Sequence, residues 1–252
     1  MGKILELTHV NKAYREGGME NRVLRDLSFS VEEGEFTAVM GPSGSGKSTL
    51  LFCAGGMDTI DSGEIELCEK KLSTLSEDAL SEMRRRETGF VFQQPSLLKN
   101  LNILDNVMLT ALRGNKKNAS AIKKKALALM EKAQIAELAQ REVSKVSGGQ
   151  LQRAGVCRAL MNDARLLFCD EPTGALNSRS AQEIMDLFSA VNSEGTAILL
   201  VTHDALVAAR SERVIFMRDG AIVSELRLGK YAGEGLAERM SRVGEAARTL
   251  GI

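Results

Sequence analysis

Short apolar runs alternate along the chain with stretches whose apolar positions recur every three or four residues. This is the rhythm of strands and helices taking turns over one sheet, and it predicts an α/β fold. Runs of strand length fall at Ile4–Leu7, Phe36–Met40, Gly63–Leu67, Gly89–Phe92, Arg165–Cys169 and Ala197–Val201. Arg213–Met217 and Ala221–Glu225 flank Arg218-Asp219-Gly220, a turn sequence, and so predict a hairpin. Helical spacing covers about Lys47–Ala54, Glu77–Arg86, Ile103–Leu112, Ser120–Ala133, Gly149–Met161 and Arg179–Asn192.

Between about residues 94 and 147 no strand pattern occurs, and Ile122, Ala126, Leu129, Met130 and Ala133 share one helix face. The pattern therefore predicts a helical subdomain inserted into the α/β core of a single 1–252 domain. In a C-terminal tail of about 233–252, Leu236, Met240, Val243, Ala247 and Leu250 also share a face, which predicts docking onto the parent domain. Lys123–Lys125 reads as a solvated helix face.

Composition narrows the classes. With 252 residues and 44% hydrophobic content the chain can bury a substantial core. Lys plus Arg matches Asp plus Glu at 33 each, which argues against a nucleic-acid partner. Cys53, Cys68, Cys157 and Cys169 are scattered with no Cys-x-x-Cys pair, as expected of reduced thiols rather than zinc ligands or disulfides. The first residues lack a signal-peptide pattern, and no run approaches the roughly 20 apolar residues of a bilayer span. A membrane pore made by this chain alone is not expected.

The chemistry begins at Gly-Pro-Ser-Gly-Ser-Gly-Lys-Ser-Thr, Gly41–Thr49, placed between a predicted strand and a predicted helix. The spacing G-x-x-x-x-G-K-[ST] in that context is a phosphate cradle. Gly41, Ser43, Gly44 and Gly46 let successive N–H groups curl around phosphate oxygens at a helix start. Lys47 would reach the outer phosphates of a nucleoside triphosphate, Ser48 would offer its hydroxyl to Mg2+, and Thr49 completes the set. A second acidic site follows the apolar run Arg165–Cys169, where Asp170 and Glu171 leave the sheet at the edge where open α/β sheets bind ligands. Asp170 would hold the Mg2+ shell and Glu171 would face the attacking water as general base. A guanine-reading N-K-x-D motif is missing, since Asn11–Tyr14 reads Asn-Lys-Ala-Tyr and precedes the cradle.

One further stretch, Lys-Val-Ser-Gly-Gly-Gln-Leu-Gln-Arg at Lys145–Arg153, places two glycines at a helix mouth, where ordering them is costly. Together with the other motifs it resembles the ATP-binding-cassette ATPases. Val146–Gln150 is similar to the family signature L-S-G-G-Q with Val for Leu, a change expected to be tolerated, and Gln152–Arg153 continues the match. Phe90–Gln94 resembles the family's Gln loop with Gln93 as its functional residue, and Leu199–Asp204 its His switch with His203. Tyr14 matches the aromatic position that stacks on adenine. The resemblance covers essentially the whole chain, in order.

It implies a P-loop NTPase core with an antiparallel β subdomain and an inserted α-helical subdomain, binding ATP and Mg2+. Catalysis would rest on Glu171, His203 and Gln93, with Ser48, Gln93 and Asp170 around the metal. It also implies a head-to-tail pair, a homodimer or a pairing with a close paralogue, in which Ser147, Gly148, Gly149 and Gln150 close the partner's phosphate site. Asn177 stands where the family usually has Asp; activity is expected to survive, because Glu171 and His203 are present.

At the subfamily level, Gly89–Leu98, Glu171–Ser180 and Arg213–Gly220 look most like the macrolide-exporter and lipoprotein-release group. Within it they look closest to the bacitracin- and lantibiotic-resistance branch. That resemblance implies an ATPase at the cytoplasmic face of a bacterial membrane, driving a separate permease chain whose cytoplasmic helix docks beside Gln93. The alternatives are a lipoprotein-release ATPase, or a cassette that switches a membrane partner without transport, as in cell division. Cassettes acting on DNA or ribosomes typically carry tandem units, a coiled-coil insertion or zinc cysteines, which this sequence lacks.

Overall fold

In the computed structural model, which describes residues 2–17, 19–113 and 118–252, the strands fall into two sheets. In chain order they are β1 (Lys3–Glu16), β2 (Met19–Glu32), β3 (Phe36–Met40), β4 (Ser62–Leu67), β5 (Lys70–Lys71), β6 (Thr88–Val91), β7 (Leu166–Asp170), β8 (Ala197–Thr202), β9 (Arg213–Arg218) and β10 (Ala221–Arg227). The helices are α1 (Lys47–Ala54), α2 (Glu77–Glu87), α3 (Ile103–Leu112), α4 (Ala119–Lys132), α5 (Gly148–Leu160), α6 (Ser178–Ser193), α7 (Ala205–Ala208) and α8 (Leu236–Thr249).

The larger sheet has the order β10-β9-β3-β8-β7-β6, parallel except for β10, which returns from β9 through the Asp219-Gly220 turn. Both turn residues have positive φ, 50° and 80°, as a tight two-residue hairpin turn demands. Its central strands are buried on both faces, which explains their unbroken apolar runs. Along β8, Ile198 and Leu200 face one core, and Ala197, Leu199 and Val201 face the other. The first core is roofed by α3, α4, α5 and α6; the second is closed by α1 and the smaller antiparallel sheet, β2-β1-β4-β5. The sheets are also clamped through Arg213 on β9, whose guanidinium donates to both carboxylate oxygens of buried Glu35 at 2.7 and 2.9 Å and to the Ser30 carbonyl on β2. The bidentate fork satisfies both buried charges at once.

The strand pattern missed β2 entirely and recovered only the start of β1. Within β2 the buried residues Leu24, Leu27 and Val31 lie three and four apart, a helical spacing. The β1–β2 ladder explains it: the register slips between Val10/Leu27 and Lys12/Leu24, so bulges break the period of two. His9 and Asp26 take left-handed φ, 50° and 51°, at this break.

The 94–147 segment carries α3 and α4, with only an isolated bridge, Asn102 to Glu142, of strand character among its described residues; Gly114–Lys117 lie outside the described residues. Ile122, Ala126, Met130 and Ala133 are buried as their spacing predicts, and Leu129 packs at the margin. Lys123 and Lys124 are exposed, while Lys125 pairs with Asp163 at 2.6 Å. The tail folds as α8: Val243 and Ala247 are buried against Ala38, Met40 and Phe216, Leu236 and Leu250 pack beside them, and Met240 stays exposed.

Candidate active site

Four parallel strands release their chains at one edge of the sheet, and each delivers a residue singled out above. The turn after β3 is the Gly41–Gly46 loop; β6 leads to Gln93, β7 to Asp170 and Glu171, and β8 to His203. Parallel strands make this convergence unavoidable, because all their carboxyl ends lie on the same side.

The loop's shape depends on its glycines. Gly44 and Gly46 hold φ of 81° and 95°. A Cβ at Gly41 would lie 2.2 Å from the Met217 carbonyl oxygen, and one at Gly46 would lie 2.6 Å from that of Val23. Lys47 is buried, and its ammonium donates to the Gly41 and Pro42 carbonyls at 2.9 Å each, folding the side chain back across the loop. Burial lowers its pKa, while the charges of Glu171 and Asp170 act in the opposite direction. At the start of α1 no side chain caps the backbone, and no acidic residue occupies the first turn. Its first N–H groups are therefore left for an anion.

Ser48 donates its hydroxyl to Asp170 Oδ1 at 2.9 Å. Burial raises the pKa of Asp170 and the neighbouring Glu171 raises it further, against the Ser48 hydrogen bond and the Lys47 charge. A hydroxyl and a desolvated carboxylate side by side are hard oxygen donors of the kind Mg2+ takes together with phosphate oxygens, so the donor set fits that ion. Glu171 stands at φ 43°, a strained conformation for a side chain of its kind, and its amide is pinned to the Val201 carbonyl at 3.0 Å. That places Glu171 Oε1 3.2 Å from His203 Nδ1. Gln93 completes the group: a Cβ at Gly174 would lie 2.9 Å from Gln93 Nε2 and 3.4 Å from Glu171 Oε2, so both side chains crowd the same glycine.

The Ser147–Gln150 stretch lies elsewhere, at the start of α5. Ser147 accepts from the Gln150 amide at 3.4 Å, and Gln150 Oε1 accepts from the Ser147 amide at 3.1 Å, a capping box. No hydrogen bond or ion pair recorded among the described residues joins these residues to the Gly41–Thr49 loop. The glycine pair divides. A Cβ at Gly149 would lie 2.6 Å from Ser180 Oγ and 2.7 Å from Ser180 Cβ on α6, whereas one at Gly148 would meet only Leu176, at 3.9 Å. Val146 packs against the core, as an apolar substitute for Leu should.

The family model described as ABC transporter matches residues 24–174 of this chain. The chain belongs to the ABC transporter family. Its chemistry is accordingly that of an ABC ATPase. It is 39% identical over 222 residues, 88% of its length, to the macrolide export ATP-binding/permease protein MacB of Aggregatibacter actinomycetemcomitans. To the MacB of Chlorobium phaeobacteroides it is 41% identical over 227 residues, 90% of its length. In both cases the match covers 34% of the relative, so the chain spans about a third of the length of the curated relatives it matches. The fold superposes at a TM-score of 0.82 on the ATP-binding cassette MJ0796, solved as a dimer in a post-hydrolysis state with ADP and Pi. That match is 35% identical and covers 90% of this chain and 100% of that one.

Within this ABC cassette Tyr14 is placed by neighbours the sequence did not announce. Its hydroxyl donates to Asp58 Oδ2 at 2.7 Å, Lys12 binds the other oxygen of Asp58 at 2.9 Å, and the Lys12 ammonium sits 5.0 Å from the ring centroid. Burial raises the phenol pKa and the Asp58 hydrogen bond adds to it, so the ring is neutral and 44% exposed. Asn177 caps α6, accepting from the Ser180 amide at 2.9 Å, so the position keeps its capping bond without the charge.

Gln152, which the resemblance marks only as continuing the signature, has a structural partner that the sequence did not announce. It is buried on α5 and donates to the Phe92 carbonyl at 2.7 Å, joining the signature helix to the segment that bears Gln93. A polar residue on an otherwise apolar helix face was the available signal.

Proposed function

We propose that this chain is the ATP-hydrolysing subunit of a membrane transporter, acting on a permease carried by a separate chain, with export or resistance to antimicrobial peptides or drugs as the outcome. The observation that carries the catalytic part is the convergence at one sheet edge. There the Gly41–Thr49 loop, the Ser48–Asp170 pair and the Glu171–His203 pair stand together. The transport part is supported by likeness to relatives named for macrolide export as ATP-binding/permease proteins. No helix among the described residues is long and apolar enough to cross a membrane.

In this reading ATP lies with its adenine on Tyr14 and its phosphates in the Gly41, Ser43, Gly44 and Gly46 cradle, with Lys47 exchanging its loop carbonyls for phosphate oxygens. Ser48, Asp170 and Gln93 would hold Mg2+, which when bound neutralises charge building on the phosphates. Glu171 accepts a proton from the attacking water, and His203 fixes the Glu171 carboxylate while remaining open to the transferred phosphate. The site is half of a whole. A second copy, related head to tail, would bring its Ser147, Gly148, Gly149 and Gln150 over the phosphates, so the working unit is a homodimer. The helical subdomain of about 94–147 belongs to the same 1–252 unit and would carry the signature to the partner. The bacitracin- and lantibiotic-type branch, and a place at the cytoplasmic membrane face of a bacterium, belong to the same proposal.

Two measurements test it. Glu171→Gln should lose at least about 100-fold in ATP turnover while still binding ATP, and should accumulate an ATP-bound dimer on size exclusion. Turnover at the native rate would remove Glu171 from the role of base. Co-purification with a membrane partner, followed by ATPase assays with peptides and macrolides, should give stimulation by one class. No stimulation by either would sink the transport reading and leave the ATPase reading standing.

A further inference from the structure

His203 is followed at once by α7, a helix of only four residues, Ala205–Ala208. A helix that short has little stability of its own and is held by what surrounds it. Its near end is fixed by Asp204, whose amide donates to Thr202 Oγ1 at 3.0 Å and whose carboxylate accepts from the Leu206 amide at 2.8 Å. Its far end is fixed by a residue from the tail, Arg239 on α8. That guanidinium donates to the Ala209 carbonyl through Nε at 2.7 Å and to the Ser211 carbonyl through Nη2 at 2.7 Å. It also donates to the carbonyls of Leu228 at 2.9 Å and Gly229 at 2.8 Å, just beyond β10. One side chain thus satisfies carbonyls where α7 runs out, and ties that exit to the end of the sheet.

The clamp has support on both sides. Tyr231 lies between two cations, its ring centroid 5.5 Å from both Arg239 and Arg210. Arg210 is itself buried and paired with Asp186 on α6 at 2.6 Å. Below, Val243 and Ala247 of α8 pack on Ala208 and Ala209, so the apolar face and the guanidinium grip the same segment.

We infer that Arg239 is a positioning residue for ATP hydrolysis, holding α7 so that His203 stays within reach of Glu171. This rests on the role given to His203 above. The distance it protects is the 3.2 Å between His203 Nδ1 and Glu171 Oε1, made by a His side chain that is 63% exposed and has little packing to restrain it. Displacements near 1 Å in such pairs cost up to about 100-fold in rate. The C-terminal helix is in this view a brace for the catalytic edge, applied from behind the sheet.

The test is a double-mutant cycle on the full chain. Arg239→Met keeps the apolar stem and removes the fork. It should lower kcat about 3- to 30-fold with KM for ATP changed by less than about twofold, and Arg239→Lys should fall between it and the native chain. His203→Ala should lose more, and adding Arg239→Met to it should cost nothing further. If the loss from Arg239→Met repeats in the His203→Ala background, or if neither Arg239 variant lowers kcat, the inference is wrong while the catalytic reading stands. If His203→Ala keeps native turnover, the role of His203 fails and the positioning role fails with it. Native affinity for a fluorescent ATP analogue shows that each variant is folded; should Arg239→Met not fold, Arg239→Lys carries the cycle.

Discussion

The helices α1 and α5 both begin at glycine-rich stretches, and they begin in opposite ways. At α1 the entry residue Gly46 sits at φ 95° with no side-chain cap among the described residues, which leaves the first amides open to a ligand. At α5 the entry residue Ser147 is locked to Gln150 in a reciprocal capping box. Glycines at α1 are demanded by backbone curvature and close backbone neighbours; Gly149 at α5 is demanded by the side chain of Ser180 on the next helix. The first entry is built for a ligand and would be poorly satisfied without one. The second is satisfied already by its capping box, which suits the proposed closing of another molecule's site.

The comparison breaks most visibly at the glycine pair of α5. Gly149→Ala pushes a methyl group into Ser180 and should destabilise the fold by about 1–3 kcal/mol, whereas Gly148→Ala should change stability by less than about 0.5 kcal/mol. Thermal unfolding of the two variants decides it, and equal losses would show that the pair is not divided. Ser147→Ala comes next: loss of the cap should cost about 1 kcal/mol, with ATP binding at the Lys47 loop unchanged. A fall in nucleotide affinity of the monomer would place Ser147 in its own chain's site and erase the contrast.

The smallest effect on stability concerns Asp170. Burial raises its pKa above the unfolded value, so its protonated form favours the folded state and its charge costs stability as pH rises through the folded value. Asp170→Asn should therefore raise Tm by about 2 °C at neutral pH, with the gain fading on acidification, while ATP turnover is lost. A Tm lowered by several degrees would show that Asp170 serves the fold rather than the ligand.

Much of this arrangement was legible in the chain. Phe36–Met40, Lys47–Ala54 and Ile103–Leu112 have the bounds that periodicity predicts, since each is a single uninterrupted pattern with turn residues nearby. The antiparallel sheet was mostly illegible, because bulges at His9 and Asp26 turn a strand's alternation into a helix-like spacing. The loop after β3 and the acids after β7 follow from motif and strand context. The meeting of Glu171 with His203, the hold of Asp58 on Tyr14 and the pressure of Ser180 on Gly149 are tertiary facts between residues far apart in sequence. Local pattern carries no information about them, and only the family resemblance pointed toward the first.

The Asp219-Gly220 turn has a consequence for how this chain can drift over generations. The Gly220 amide donates to the Ser45 carbonyl of the phosphate loop at 3.2 Å, and the Gly220 carbonyl accepts from the Arg25 amide on β2 at 2.8 Å. Both bonds join peptide groups, so they do not depend on the side chains of Ser45 and Arg25 for their donors and acceptors. Gly220 itself is vulnerable, since its φ is 80° and a Cβ there would lie 2.5 Å from the Val23 carbonyl oxygen. The seam joining loop, hairpin and outer sheet is thus indifferent to the exposed side chain of Arg25, constrained in size at buried Ser45, and most sensitive at Gly220.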